Sequence, residues 1–340
     1  MNALPNLLMN IIPSKRHTQG SSLMVRVLVV GVGVMGFAHA KACASIKNNQ
    51  IVGLVARDWK KWNLVAEYFS EIPRYEDFFL ALIKTKPDVV IISSFTDTHA
   101  SYAIKALKAG ADVFVEKPLA TNILDAKLVI ATARKYKRKL VVGFILRHHD
   151  MWKKFVECTK SLGKPVHLTI TSNQHSMGRD WQHHMNILNS GLSPLVDCGV
   201  HYTDLMLQVV SGKVIKSYAN GTKTNSEVRV SNKTNMTINY SDGSTLDFES
   251  GYGPEINLEE NISKKAQGPL GFVYIKSENI VIHNDQEYNF SSKAYEKSIN
   301  TQQSYFFDVI KKDIDLEPHY ETVMLSLQIV LNAERIMAEN

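Results

Sequence analysis

Short continuous apolar runs alternate with longer stretches of helical spacing through the first part of the chain. The runs are Val25–Val30, Ile51–Val55, Val89–Ile92, Asp112–Val115 and Leu140–Phe144. Runs this short and rich in β-branched residues predict strands buried on both faces, as in a parallel sheet. Between them, Ala38–Ala44, Trp59–Ser70, Tyr75–Lys84, Ala100–Ala109 and Asn122–Lys137 predict helices. Trp62, Val65, Ala66 and Phe69 share one face of the second, and Gly110 is placed to stop the fourth. Strand and helix in alternation predict an α/β, doubly wound parallel sheet over residues 24–147.

The pattern then changes. Met151–Ser161 predicts a helix, Pro165–Ser172 alternates as a strand, and Asn173–Gly191 reads as a polar, His-rich loop. A helix over Pro194–Val210 is followed by consecutive strands with turn signals at Asn220-Gly221 and Asp242-Gly243. Further strands are expected near 255–263, 271–276 and 279–283, and helices over 295–312 and 319–338. Residues 148–340 thus predict an α+β domain with an open, mostly antiparallel sheet, whose last helix is able to pack back on the first domain. The bare sheet face needs a cover, most simply a second copy in a homodimer or homotetramer. Residues 1–23 fall outside the pattern and read as a disordered extension. Their apolar patch precedes Lys15 and Arg16, the wrong order for a secretory signal.

The turn after the first strand carries the first chemistry. Gly31-Val32-Gly33-Val34-Met35-Gly36 stands between a strand and a helix, with a second strand following. In that setting Gly31 permits the tight turn, Gly33 lets backbone approach a pyrophosphate, and Gly36 lets the helix pack close. The helix N-terminus at Val34 and Met35 offers free N–H groups to the same anion. A dinucleotide cofactor is therefore expected.

Composition narrows the class. With 340 residues, 44% hydrophobic and 21% charged, the chain has the make-up of an ordinary globular protein. The charge of +6 is diffuse except at Arg134–Lys139, where cations suit a helix end better than a nucleic-acid patch. Three separated cysteines make no disulfide framework, and no apolar run reaches the length of a membrane span. A cytoplasmic protein acting on a small molecule, with no nucleic-acid or membrane partner, is expected.

Two further clusters supply reactive groups. Glu116-Lys117-Pro118 ends a strand, where a lysine can stabilise negative charge on a reacting oxygen. Asp197, His201 and Asp204 lie at i, i+4 and i+7 of a helix, so the imidazole is expected between carboxylates, as a proton acceptor near neutral pH. His183, His184, Asp197, Cys198 and His201 also offer zinc-type ligands. Their spacing matches no zinc motif, and hydride transfer to a nicotinamide needs no metal, so none is expected.

Taken together, Gly31-x-Gly33-x-x-Gly36, Thr96-Asp97-Thr98-His99, Glu116-Lys117-Pro118 and Asp197-x-Gly199-x-His201-x-x-Asp204 resemble the Gfo/Idh/MocA oxidoreductases, the glucose–fructose oxidoreductase and inositol dehydrogenase family. The resemblance runs from Met24 to the C-terminus. It implies a Rossmann domain, an open-sheet C-terminal domain, assembly through that sheet, and NAD(P)-dependent oxidation or reduction of a sugar, inositol or related polyol. It implies a catalytic set of Lys117, Asp197 and His201. Ser93, Thr96, His99, Glu116, Lys117 and Arg147 would border the nicotinamide half of the cofactor. Trp181, His183, His184 and Asp204 are candidates for the substrate pocket. Many members end the second strand with an acidic residue that binds both ribose hydroxyls. Here Ala56 takes that place, followed by Arg57 and Asp58. Loss of the carboxylate and gain of a guanidinium favour NADP over NAD, while Asp58, two positions on, keeps NAD open if the turn is shifted. A cofactor-sensing regulator and an NAD-dependent glycosidase are the alternatives within the family. Retention of Lys117, Asp197 and His201 together speaks against the first.

Overall fold

The computed structural model describes residues 24–57, 62–256 and 264–339. The chain divides into two compact units. One holds the described residues up to Gly143 together with Ile299–Tyr320, and the other holds Phe144–Ser298 and the chain from Glu321.

The first unit is built on six parallel strands: β1 (Val25–Val30), β2 (Asn49–Val55), β3 (Arg74–Tyr75), β4 (Val89–Ile92), β5 (Asp112–Glu116) and β6 (Leu140–Gly143). Their order is β3-β2-β1-β4-β5-β6. The chain starts in the middle, builds outward on one side, then returns to build on the other. That reversal between β1 and β4 leaves a crevice at the carboxyl ends of the strands, where such sheets bind ligands. Val27–Val30 and Val89–Ile92 are fully buried, as two covered faces require. Two helices of this unit begin at a side-chain cap: Asp77 accepts from Leu80 N–H at 2.7 Å and Asn122 from Asp125 N–H at 2.9 Å. The helix expected from Tyr75 therefore starts at Phe78, and Arg74–Tyr75 form an edge strand instead.

Residues 299–320 belong to this unit, so the division is not a single cut near residue 147. Phe306 packs on Phe114 with centroids 5.8 Å apart, and the Nε2 of His319 accepts the edge N–H of Val142 at 3.0 Å. The last helix, Glu317–Glu339, instead falls mostly in the second unit. The basic run is pinned rather than free: Arg134 donates to Glu317 at 2.9 Å and Lys139 pairs with Asp313 at 2.8 Å.

The second unit carries β7 (His167–Thr171), β8 (Gln174–His175), β9 (Val214–Thr222), β10 (Lys233–Tyr240), β11 (Thr245–Gly253), β12 (Lys264–Gly268), β13 (Gly271–Ser277), β14 (Ile280–His283) and β15 (Gln286–Asn289). The order is β15-β14-β13-β12-β7-β11-β10-β9, with β8 beside the end of β11. Only β11 with β7 and β8 pairs in parallel; the rest is antiparallel. Leu168, Ile170, Ile238, Leu246, Phe248, Ala266 and Val273 are buried on one face, behind the helices Asp150–Ser161 and Gly199–Leu207. Across the other face runs one row in register: Tyr218, Thr237, Asp247, Thr169, Lys265, Tyr274 and Ile282. No member of this row is buried.

Two expectations are corrected here. The loop expected over Asn173–Gly191 contains a helix, Gly178–Asn189. Its Trp181, Met185 and Leu188 pack with Tyr252 and Val228 at helical spacing, a stripe hidden by the polar residues around it. The helix expected over Pro194–Val210 is two, Pro194–Asp197 and Gly199–Leu207, joined at Cys198. The strand expected near 255–263 falls largely outside the described residues. No helix among the described residues is long and apolar enough to cross a membrane.

Candidate functional site

The glycine turn is shaped by contacts that a side chain would break. Gly31 has φ +85°, and a Cβ there would meet the Ser93 carbonyl oxygen at 2.3 Å. A Cβ on Gly36 would sit 1.7 Å from the carbonyl oxygen of Gly31. The two positions lock β1, the first helix and the end of β4 together. Gly33 differs, because a Cβ there would meet nothing within 4 Å. It is the N-cap of the helix Val34–Ser45, and no side chain caps that helix. Val34 is 79% exposed and Met35 is half-buried. The N-terminal end is thus an open anion cradle, and the residues present fit a dinucleotide pyrophosphate.

At the neighbouring strand ends, the Arg57 guanidinium lies 5.0 Å over the ring of Phe95. Phe95 is the N-cap of the helix Thr96–Lys108, and Thr96 is its first residue. Ser93, half-buried, follows β4. Asp58 lies outside the described residues.

Two residues expected to border the cofactor, His99 and Glu116, are buried. His99 is 1% exposed, with Nδ1 2.8 Å from the Pro118 carbonyl oxygen and Nε2 3.0 Å from that of Ser94. It fastens the turn after β5 to the turn after β4. Burial lowers its pKa, and its two backbone hydrogen bonds oppose that shift. Glu116 is buried, with Oε1 2.8 Å from His39 Nε2 and Oε2 accepting the Lys117 N–H at 3.2 Å. Lys117, half-buried, stands at the mouth of this turn, and its bond to Pro118 is cis.

In the second unit, Asp197 closes the short helix Pro194–Asp197. Its Oδ2 accepts the phenol of Tyr252 at 2.8 Å, and that phenol is also 3.0 Å from Cys198 Sγ. Tyr252 is fully buried, and His184 stacks on it at 4.1 Å with the rings 13° from parallel. Burial, reinforced by the Asp197 charge, pushes the Tyr252 phenol well above its ordinary value, so it stays a proton donor to the carboxylate. His184 is pushed down by burial, and its Nδ1 is buried without a hydrogen-bond partner among the described residues. Trp181 is half-buried one turn before it, and His183 is exposed. Tyr252 was missed in the sequence; its signal was an aromatic between Gly251 and Gly253 where a strand ends.

His201 is half-buried on the helix Gly199–Leu207, edge-on to Phe144 at 6.3 Å. The expected flanking by two carboxylates does not hold for Asp204. That residue is 1% exposed and receives Nε of Arg147 at 2.9 Å and a second guanidinium bond at 2.5 Å. Burial raises the Asp204 pKa and Arg147 pulls it back. A buried carboxylate needs such a partner. Asp204, expected to meet substrate, and Arg147, expected to border the cofactor, thus hold each other. Among the described residues, no group of three or more His, Cys, Asp or Glu side chains is placed to hold a metal ion.

Comparison with known proteins bears on the family and the fold. Residues 25–144 match the model of the oxidoreductase family with an NAD-binding Rossmann fold, and residues 154–255 match the GFO/IDH/MocA C-terminal domain. The D-glucoside 3-dehydrogenase of Escherichia coli is 27% identical over 203 residues, 58% of this chain and 57% of that protein. The myo-inositol 2-dehydrogenase of Thermotoga maritima is 25% identical over 199 residues, 58% of each. The matches thus span little more than half the length of these relatives. Among solved structures, the scyllo-inositol dehydrogenase of Lactobacillus casei with bound NAD(H) and scyllo-inositol superposes with a TM-score of 0.74 at 16% identity, over 93% of this chain and 98% of that one. The myo-inositol 2-dehydrogenase of Lactobacillus plantarum gives 0.78 at 16%, with the same coverage. At such identity these structures speak to the fold alone. The two family models together cover more than half of the chain, one on each side of the β6 boundary, and the chain belongs to the Gfo/Idh/MocA oxidoreductase family.

Proposed function

We propose that this protein is an NAD(P)-dependent dehydrogenase that interconverts a hydroxyl and a keto carbon of a sugar, inositol or related polyol. The observation that carries the reading is the joint presence of Lys117 after β5 and of Asp197 with His201 on the family's C-terminal domain. When bound, a nicotinamide dinucleotide supplies the acceptor for the hydride and its electron pair. Gly31, Gly33, Val34, Met35 and Gly36 would hold the pyrophosphate, with Ser93 and Thr96 beside it. His201 takes the hydroxyl proton as the carbon becomes a carbonyl. Lys117 holds the oxygen while it carries negative charge. Asp197, which accepts the Tyr252 phenol, would favour the protonated imidazole and so help His201 accept. Trp181 and His184 border the substrate. Dehydrogenases of glucosides and inositols among the relatives support a polyhydroxylated ring as the substrate class.

NADP is the preferred form in this reading. Ala56 offers no carboxylate to a 2′-phosphate, and Arg57 is exposed next to it. The test is cofactor reduction across sugars, inositols and their phosphates, with NAD and NADP in parallel. A charge-assisted contact of about 1.5–3 kcal/mol means that Arg57→Ala should weaken NADP by about 10- to 100-fold and NAD by less than about 3-fold. Equal loss for both would remove Arg57 from the recognition. Absence of reduction by any polyol would remove the dehydrogenase reading.

The bare face of the second sheet serves, in the same reading, as the contact with a second copy. Tyr218, Phe272 and Tyr274 are exposed along it, apolar area that a monomer has little reason to display. Sedimentation should give a dimer or tetramer, and Tyr218→Asp with Tyr274→Asp should give a monomer. A monomeric wild type would refute this.

A further inference from the structure

Beneath the Glu116–Lys117 turn lies a buried chain of hydrogen bonds that runs from Cys43 to Glu116. Cys43 Sγ is 3.4 Å from Gln303 Oε1, Gln303 Nε2 is 2.9 Å from His39 Nδ1, and His39 Nε2 is 2.8 Å from Glu116 Oε1. His39, Cys43 and Gln303 are each 0% exposed. Burial pushes the Cys43 thiol up, so it remains S–H and donates. Gln303 must then present its oxygen to Cys43 and its N–H to His39. The His39 Nδ1 must accept, which leaves the proton on Nε2, aimed at the carboxylate. Flipping the amide would put the imidazole proton on Nδ1 and leave a bare Nε2 lone pair against Glu116. With a donating thiol and a neutral imidazole, the chain has one self-consistent polarity.

We propose that His39 is a positioning residue for Lys117. Its Nε2–H tautomer, set by Gln303, anchors one oxygen of Glu116, while the other oxygen takes the backbone N–H of Lys117. Glu116 has no slack in this arrangement. It is paired across the sheet with Gly143, where a Cβ would come within 2.9 Å of its Oε1. The His39 ring is held in turn against Phe114, 5.0 Å away. One carboxylate thus sets the backbone of the lysine, and a residue of the first helix sets that carboxylate. The proposal rests on Lys117 acting in the dehydrogenase reaction.

The test separates the two readings. Nitrogen-15 histidine spectra of the intact wild-type protein at pH 8 should show His39 as the Nε2–H tautomer, whether or not any polyol is turned over. An Nδ1–H tautomer overturns the proposal. In the kinetics, His39→Gln keeps a donor near the Nε2 position, whereas His39→Asn keeps only a group near Nδ1. Because a misplacement remote from the chemistry can cost about 10²-fold, His39→Asn should lower kcat by about that factor. KM for the cofactor should stay nearly constant and the alkaline limb of the pH profile should move. His39→Gln should restore most of the loss. Equal rates in wild type and His39→Asn, or equal losses in both variants, would overturn the positioning role. A wild type inactive on every polyol would count against the dehydrogenase reading, while the tautomer still decides the hydrogen-bond chain.

Discussion

His201→Ala is expected to lower the kcat of polyol oxidation by about 10²- to 10⁴-fold, the usual contribution of a positioned general base. Lys117→Ala is expected to cost about 10²- to 10³-fold, the scale of one lost donor to a developing oxyanion. Both variants should still bind the dinucleotide, because the cradle at Gly33 and the helix Val34–Ser45 presents backbone N–H groups and uses neither side chain. Stopped-flow reduction of cofactor and fluorescence titration of binding check the two halves separately. Near-normal turnover in both variants would take these residues out of the mechanism.

Gly36→Val is expected to abolish dinucleotide binding and to destabilise the fold by about 3 kcal/mol or more, at the upper end for overpacking. The reason is local and rigid. Even a single Cβ would fall 1.7 Å from the Gly31 carbonyl oxygen, and that atom is backbone, fixed by the turn whose Gly31 N–H donates to Val55 at 2.8 Å. Gly33→Ala makes the contrast. Its Cβ enters open space, so urea denaturation should match wild type while affinity for the dinucleotide falls, because the added methyl occupies the approach to the cradle. Intact binding in Gly36→Val, or equal destabilisation by both changes, would contradict this division of labour between packing and ligand approach.

Much of this was readable before any coordinates, for a physical reason. The first unit is made of contacts close in sequence: a buried β-branched run, a glycine turn, a helix. Each leaves a local mark, and the observed strands β1, β2, β4, β5 and β6 fall on the expected runs. The mixed sheet was legible in outline through turns such as Asp242-Gly243, whereas β15 and the helix Gly178–Asn189 were not. That helix shows only a narrow apolar stripe, and its stability comes from packing on Tyr252, 63 to 74 positions away and invisible to a local window. The reactive residues were legible as types, and their partners were not. Nothing in the sequence joins Glu116 to His39, Asp204 to Arg147, or Asp197 to Tyr252. Each pair exists because a carboxylate withdrawn from water must be satisfied, buried at Glu116 and Asp204 and half-buried at Asp197, and the chain satisfies it from a distant element. Glu116, His99 and Asp204 accordingly each hold a distant part of the chain through a partner that the sequence does not show.

In the proposed reaction Lys117 and His201 serve one and the same hydroxyl. The direct measurement is the single-turnover rate of cofactor reduction by the best polyol for wild type, Lys117→Ala, His201→Ala and the double variant. Residues that act as a unit are strongly non-additive, so the double variant should be about as slow as the slower single one. A double variant whose loss equals the product of the two single losses would show the residues working independently, and would contradict the account.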